Sequence, residues 1–258
     1  MTDARPVDIT FFVPCYNEEQ NIIPTLETLV AAAGRFSFTY EILVVDDCST
    51  DKSVEKIQRF QSGHPGLNLV LRRNPRNVGL GRNFVDAAFF AKGEFFMLVN
   101  GDHAEPENAL EALLSHLGEA DMIIPYFSLQ SDKRTFVRRR LSRAFTALVN
   151  LISGHRIRYY NGPAIHRRFN VMRWHSDTDG FSYQAEIITR VLDNGASFKQ
   201  VQISNIDRQE GSTKAFRLKN MLSVSHSLLQ IFLRRIRRIF FREYYGCPRP
   251  PANPASTR

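Results

Sequence analysis

A chain of 258 residues, 43% hydrophobic and 23% charged, has the composition of a folded soluble protein and enough length for one large α/β domain or two small ones. Its net charge of +8 favours anionic partners: nucleic acid, phosphorylated small molecules or an anionic membrane surface. The three cysteines, Cys15, Cys48 and Cys247, are odd in number and far apart, which argues against a disulfide framework or a zinc site and suits a reducing compartment. In chain order, Met1–Asp8 is polar and has no apolar signal-peptide core. No run reaches the roughly 18 uncharged apolar residues of a membrane span. The expectation is a protein that is not secreted by a classical signal and does not cross a bilayer.

The next 120 residues read as alternating strands and helices. Ile9–Val13, Glu41–Val45, Leu67–Leu71, Glu94–Val99 and Asp121–Pro125 are short runs rich in Val, Ile, Leu and Phe. Their near-continuous apolarity suits strands covered on both faces of a parallel sheet. Helix-like stretches lie between them, roughly at 18–33, 51–61, 80–92 and 106–117. Start signals are Ser49 and Thr50 before Asp51, and Pro106 between Glu105 and Glu107. The pattern is that of an α/β fold with helices covering a mostly parallel sheet.

Function in such folds lies beyond the carboxyl ends of the strands, and there the residues are polar. The first strand runs into Pro14, Cys15, Tyr16, Asn17, Glu18 and Glu19, and the second into Asp46, Asp47, Cys48, Ser49, Thr50 and Asp51. The third leads to Asn77–Asn83, with glycines at 79 and 81 and Arg82; the fourth leads to Asn100, Gly101, Asp102 and His103. Helix capping by Asn17, Ser49 and Asp51 is one reading. It leaves unexplained the adjacent acids Asp46 and Asp47, whose repulsion costs stability unless positive or hydrogen-bonding groups face them.

Taken together, VPCYNEEQNI, EILVVDDCSTDKS, NPRNVGLGRN and the NGD after the fourth strand resemble the family 2 glycosyltransferases of the GT-A fold, in that family's order and spacing. The resemblance implies a Rossmann-like, mostly parallel sheet flanked by helices. It implies that Pro14, Tyr16 and Glu18 line the pocket for a nucleotide base, and that Asp47, with Asp46 beside it, hydrogen-bonds base and ribose. It also places Arg82 near the donor diphosphate and makes Asp102 the metal-binding acid of the Asp-x-Asp motif. The chemistry suits those residue types: a hard divalent cation, Mg²⁺ or Mn²⁺, held by oxygen ligands neutralises the charge that grows on a nucleotide-diphosphate leaving group. Glycines at 79 and 81 allow close backbone approach, and a helix start there offers free N–H groups to phosphate. The chain departs from the family at Asn100, which stands where the first acid of the motif is expected. An amide oxygen still ligates a metal but brings no charge, so metal affinity falls or the donor phosphates carry more of the coordination. His103 and Glu105 follow closely and could help bind the ion; a histidine in such a loop is more often a hydrogen-bonding residue than a ligand.

In the second half, a helix starts near Phe136 with an apolar face formed by Leu141, Phe145, Leu148, Val149 and Ile152. Arg138, Arg139, Arg140 and Arg143 crowd its first turns, the end where the helix dipole is already positive, which suggests a bound anion or else a solvated basic face. The segment DRQEGSTK (207–214) resembles the Arg-x-x-Gly-x-Ser-Lys of the dolichol-phosphate mannosyltransferase branch, with Thr213 in the serine position. By that resemblance Arg138 and Ser142 hold an acceptor phosphate, and Arg208 and Lys214 face the donor diphosphate. The arginine-tyrosine pair of that branch is not evident at Tyr126–Phe127. NGPAIHRR (161–168) sits where the family has a strand leading into the acceptor site. Asp179 and Glu186, on either side of GFSYQ, are the candidate bases for a hydroxyl acceptor; a phosphate acceptor is already ionised and needs none, and Glu186 then reads equally well as a structural first-turn acid of the helix 181–193.

From 228 to 242, Leu228, Leu229, Phe232, Leu233, Ile236, Ile239 and Phe240 fall within an arc of about 140° on a helical wheel, with Arg234, Arg235, Arg237, Arg238 and Arg242 on the other side. Such a helix suits an anionic membrane surface, and packing on the core or on a partner is the alternative. The organisation expected is a GT-A domain over 1–215 (donor half about 1–125, acceptor half about 126–215), a basic amphipathic helical segment over 216–245 and a disordered tail over 246–258. The function expected is inverting transfer of a hexose from GDP-mannose or a UDP-hexose to a polyprenyl-phosphate lipid, at the cytoplasmic face of a membrane. Transfer to a sugar hydroxyl in polysaccharide assembly, and a catalytically weakened nucleotide-sugar-binding subunit, are the other readings. Nucleic acid is disfavoured as a partner, because the aromatics sit in apolar runs and the acidic strand ends repel a phosphate backbone.

Overall fold

The computed structural model describes residues 6–128, 136–176, 180, 182–204 and 218–241. Strands β1 (Ile9–Cys15), β2 (Tyr40–Asp46), β3 (Leu69–Arg73), β4 (Phe95–Leu98) and β5 (Met122–Phe127) coincide with the five apolar runs. Helices α1 (Ile22–Ala33), α2 (Ser53–Gly63), α3 (Leu80–Phe90) and α4 (Glu107–Leu114) lie between them. After β5 come α5 (Phe136–Ser153), β6 (Ile165–Arg167), α6 (Arg168–Arg173), α7 (Tyr183–Asp193), β7 (Phe198–Ile203) and α8 (Leu218–Phe241).

The seven strands form one sheet in the order β3-β2-β1-β4-β6-β5-β7. All pairings are parallel except those of β6, which runs antiparallel to both β4 and β5. Strands covered on both faces must be apolar throughout. Along β1, Phe11 and Val13 face the layer of α1, α2 and α4, with Leu26, Leu29, Ile57 and Leu113, whereas Phe12 faces the layer of α3, α5, α7 and α8. Phe12, Phe84 and Phe96 pack ring on ring in that second layer. The order reverses direction at β1, between β2 and β4, and this is the crevice where α/β sheets bind ligands. Among the described residues no helix is long and apolar enough to cross a membrane.

One buried group makes the fold sensitive to acid. His166 of β6 is enclosed beside Phe84, and its Nδ1 has no partner among the described residues. Burial pushes its pKa down to about 4. The neutral ring is favoured in the fold, so the stability is whole above the unfolded value of about 6.5 and is lost as pH falls towards 4. The loss amounts to about 3 kcal/mol at about 1.36 kcal/mol per pKa unit. His166→Phe should flatten that part of a urea-denaturation stability profile between pH 7 and 4. An unchanged slope would refute the assignment.

Candidate active site

The loops that follow β1 and β2 are braced against each other by backbone donors and short polar side chains. The N–H groups of Asn17, Glu18 and Glu19 donate to Ser49 Oγ (2.9 Å), Ser53 Oγ (2.9 Å) and Asp51 Oδ2 (3.0 Å). In return Thr50 N–H donates to Asn17 Oδ1 (2.9 Å) and Lys52 N–H to Glu19 Oε2 (3.1 Å). Asn17 and Cys48 take left-handed backbone to make these turns, readily for Asn and at a cost for Cys. Residues that looked like helix caps are therefore cross-braces, although Asp51 Oδ1 also accepts the Ser53 N–H at 3.0 Å.

Asp46 is enclosed. Its carboxylate faces the Ser49 N–H at 3.3 Å, and Arg73 Nε lies 3.5 Å away. Asp46, expected beside Asp47 at the base and ribose, is a paired residue of β2, opposite Cys15 and Arg73. Asp47 is 4% exposed and accepts from Val78 N–H (2.9 Å), Gly79 N–H (2.9 Å) and Asn74 Nδ2 (2.8 Å). Burial alone would raise its pKa, but these donors, with Asn83, more than offset burial and hold the carboxyl below its usual value. The repulsion between the two acids is thus answered by hydrogen-bond donors, and Asp47 fixes the loop that enters α3. Gly79 has φ of 89°, which glycine adopts without strain, at the start of that helix. On the rim, Tyr16 is 48% exposed, Pro14 and Glu18 are half-buried, and Glu18 Oε2 accepts from Asn21 Nδ2 at 2.9 Å. Arg82, in the first turn of α3, pairs with Asp86 at 2.9 Å.

The end of β4 brings Asn100 and Asp102 to the same edge, both half-buried. Gly101 between them lies against β1: a Cβ there would stand 2.2 Å from the Pro14 carbonyl oxygen, so only glycine fits. Asp102 Oδ1 accepts the Ala104 N–H at 3.2 Å. His103 turns through left-handed backbone and pairs its Nε2 with Thr28 Oγ1 at 3.0 Å, as a hydrogen-bonding residue would. Glu105 is buried and takes both the backbone N–H of Asn100 (3.1 Å) and its Nδ2 (2.6 Å); burial pushes its pKa up to about 7. No cluster of three His, Cys, Asp or Glu side chains occurs among the described residues. Among the described residues, the end of β4 offers one carboxylate, Asp102, and one amide oxygen, Asn100 Oδ1. Such hard oxygen donors fit Mg²⁺ or Mn²⁺, with phosphate oxygens and water completing the shell.

On the other half of the sheet lies Glu186, one of the two candidate bases. It is completely buried on α7, where Oε2 accepts from Ser176 Oγ (2.8 Å) and Oε1 from Arg190 (2.9 Å), and it holds that helix in the core. The other expected residues of this half, Asp179, Arg208 and Lys214, lie outside the described residues. Arg138 and Ser142 lie one turn apart on α5, both half-buried. A cavity of about 550 Å³ opens between α5 and the carboxyl ends of β5 and β7, lined by Tyr126, Arg143, Thr146, Arg158 and Gln202 among others. The Arg158 guanidinium lies 4.4 Å over the Tyr126 ring. Sequence reasoning missed Arg158, because it stands in an irregular segment and meets Tyr126 only through the fold.

α8 packs on α5 and α7, not by the face that its sequence suggests. Arg234 reaches Asp193 (2.8 Å) and Thr189 Oγ1 (2.7 Å), Arg238 also pairs with Asp193, and Arg235 donates to the carbonyls of Leu151 (2.9 Å) and Ile152 (3.1 Å). Ser227 and Ile231 are buried beside them. Leu229, Phe232, Leu233, Ile239 and Phe240 point outward, with Leu233 at 49% and Phe240 at 75% exposure. Much of the basic side faces the protein and the apolar stripe faces away. A second exposed stripe of Val137, Leu141, Ala144, Leu148 and Leu151 runs along α5.

Comparison with known proteins agrees with this architecture. The chain is 30% identical over 164 residues to the dolichyl-phosphate beta-glucosyltransferase ALG5C of Trichomonas vaginalis, covering 58% of this chain and 48% of that protein. It is 26% identical over 156 residues to the undecaprenyl-phosphate 4-deoxy-4-formamido-L-arabinose transferase of Edwardsiella ictaluri, covering 60% and 47%. The chain thus spans about half the length of these curated relatives. Among solved structures, glucosyl-3-phosphoglycerate synthase from Mycobacterium tuberculosis, in complex with Mn²⁺, uridine-diphosphate and phosphoglyceric acid, superposes with a TM-score of 0.62 at 14% identity, over 89% of this chain and 78% of that one. The mannosyltransferase PcManGT from Pyrobaculum calidifontis, in complex with GDP-Man and Mn²⁺, gives 0.59 at 19% identity, over 96% and 69%. These likenesses show the GT-A fold. Residues 10–180, well over half of the chain, match the family described as glycosyl transferase family 2, and the chain belongs to that family.

Proposed function

We propose that this protein transfers a hexose, with inversion, from a nucleotide-diphosphate sugar to a polyprenyl phosphate at a membrane surface. The observation that carries the reading is the convergence of the β1, β2 and β4 loops at the point where the sheet order reverses, with Tyr16, Asn100 and Asp102 accessible on a braced rim. Tyr16 offers an aromatic face to a base, and Glu18 a carboxylate beside it. Asp47 positions the loop whose glycines bring backbone N–H groups and Arg82 towards a diphosphate. Asp102 and Asn100 would hold Mg²⁺ or Mn²⁺, which neutralises the charge of the departing nucleotide.

The second half supports a phosphate as acceptor. Glu186 is committed to Arg190 and Ser176, so it is not free to deprotonate a hydroxyl. A phosphate nucleophile needs no base; Arg143 and Arg158 line the cavity and supply cations for it, and Arg138 and Ser142 lie on the same helix as Arg143. Relatives whose names specify dolichyl- or undecaprenyl-phosphate sugar transfer support a lipid carrier. The exposed apolar stripes of α5 and α8 support contact with the membrane that holds it. We place that contact, as a peripheral one, at the cytoplasmic face of the membrane.

Calorimetric titration with UDP-sugars and with GDP-mannose, each with and without Mn²⁺, tests the donor site; cation-dependent binding of one class is expected, and no binding by the folded protein would overturn it. Radiolabelled product partitioning into organic solvent with polyprenyl phosphate, and not with soluble sugars, tests the acceptor. For the membrane, the protein should sediment with phosphatidylglycerol vesicles. Leu233→Glu combined with Phe240→Glu should lower that partition at least about tenfold, since each large apolar side chain contributes about 1.5–3 kcal/mol when buried. A wild-type protein that stays in the supernatant would contradict the surface assignment.

A further inference from the structure

An amide has two edges of opposite polarity, and only the oxygen edge binds a cation. Asn100 is therefore useful at the metal motif only if something dictates which edge faces outward. Glu105, five residues on, does so. Its carboxyl group is buried between the end of β4 and the start of α4, where Pro106 in extended backbone and the following helix fix the chain. Oε2 accepts the backbone N–H of Asn100 at 3.1 Å, which anchors the carboxyl group, and Oε1 lies 2.6 Å from the Asn100 side-chain nitrogen. Both Glu105 oxygens accept from N–H groups of Asn100, so the amide edge turned to the carboxyl group is the NH₂ edge. The carbonyl oxygen Oδ1 is then on the other edge of the amide, the one not used by Glu105.

We propose that Glu105 is a positioning residue that locks the Asn100 amide with Oδ1 presented to the divalent cation of the nucleotide diphosphate, making Asn100 a neutral ligand beside Asp102. The inference rests on the donor-site reading above. It gives the amide at position 100 and the acid at position 105 a joint meaning: the outward oxygen is kept by an inward acceptor. A carboxylate at position 100 would call for an inward donor instead, so the pair can be exchanged only as a pair. Glu105→Gln keeps size and shape, and its remaining side-chain oxygen can still accept the backbone N–H. Its NH₂ group would then face the Asn100 NH₂ group, and the amide of Asn100 would turn its oxygen inward.

The test is Mn²⁺ titration followed by electron paramagnetic resonance of free Mn²⁺, in the presence of UDP and, separately, GDP, with no turnover. E105Q should weaken nucleotide-dependent Mn²⁺ binding by about 10–100-fold, the range typical of lost outer-shell partners. N100D/E105Q should regain most of it, because the amide introduced at position 105 then donates to the inward oxygen of the carboxylate introduced at position 100. Nucleotide binding without cation should be unchanged in both, and thermal melts report folding. If E105Q does not fold, Asn100→Ala and N100D/E105Q carry the test, the first losing cation affinity and the second keeping it. E105Q binding Mn²⁺ as wild type does, or a double variant no better than the defective single, would overturn the inference alone. A wild-type protein that binds Mn²⁺ with neither nucleotide would overturn the donor-site reading and this inference together.

Discussion

Asp102→Ala is expected to lower the rate of sugar transfer by about a thousandfold while leaving the protein folded. Asp102 is the acid that the end of β4 contributes to the rim, beside the neutral Asn100, and in the proposed function it is the charged ligand of the cation. A bound cation is worth several kcal/mol of charge stabilisation in the transition state. About 4 kcal/mol corresponds to about 10³ in rate at 1.36 kcal/mol per tenfold. The structural cost is small, since the side chain is half-buried and its bond to the Ala104 N–H, at 3.2 Å, contributes about 1 kcal/mol. Initial rates at saturating donor and Mn²⁺, alongside a thermal melt, check this. A folded variant within tenfold of wild type would mean that the metal is held elsewhere.

Asp193→Ala should destabilise the protein by about 3–5 kcal/mol and release α8. Asp193 sits at the C-terminal end of α7, where the helix dipole disfavours an acid. It is tolerated because His155 (2.8 Å), Arg234 (2.8 Å) and Arg238 surround a carboxylate with only 6% of its side chain exposed. Burial alone would raise its pKa, but these partners more than offset that and hold it below the usual value. This contribution is therefore present above the unfolded pKa of about 3.9 and is lost as pH falls through the lower folded value. Removing the acid leaves the mostly buried Arg234 without its ion-pair partner, the situation in which broken pairs cost about 3–5 kcal/mol. Arg238 is about one third exposed and contributes less. Urea denaturation gives the loss, and limited proteolysis should show new cleavage within 218–241. A variant as stable as wild type and equally resistant would refute the role.

The donor half was legible because its strands are buried on both faces: runs such as EILVV admit few other readings, and polar residues at their ends mark the carboxyl edge. What the residues there do was less legible. Ser49 and Asn17 have the chemistry of caps, and only the adjacency of β1 and β2 reveals that they brace two loops. β6 is three residues long, too short for any period to emerge, and β7 (FKQVQI) is an edge strand with exposed polar positions. Glu186 is a candidate base in the sequence because it flanks GFSYQ together with Asp179, and a structural first-turn acid is the other reading; its burial against Arg190 depends on packing that the sequence does not display. For α8 the periodicity located the stripe but not its direction. That is set by Asp193, 41 residues before Arg234 in the chain.

β6 carries a consequence for how the chain is made. It is the strand that joins β4 to β5 in the sheet, and β7 is attached through β5. β1 to β4 can pair with one another as soon as residue 98 has emerged from the ribosome, while the second neighbour of β4, β6, comes later. β5 is synthesised next but has neither neighbour until residues 165–167 and 198–203 appear. For some forty residues of synthesis the nascent protein holds a finished donor half with an open β4 edge, beside an apolar strand waiting for its partner. Such an edge is a template for wrong pairing. The interval in which this protein is most exposed to aggregation is thus written into the place of a three-residue strand.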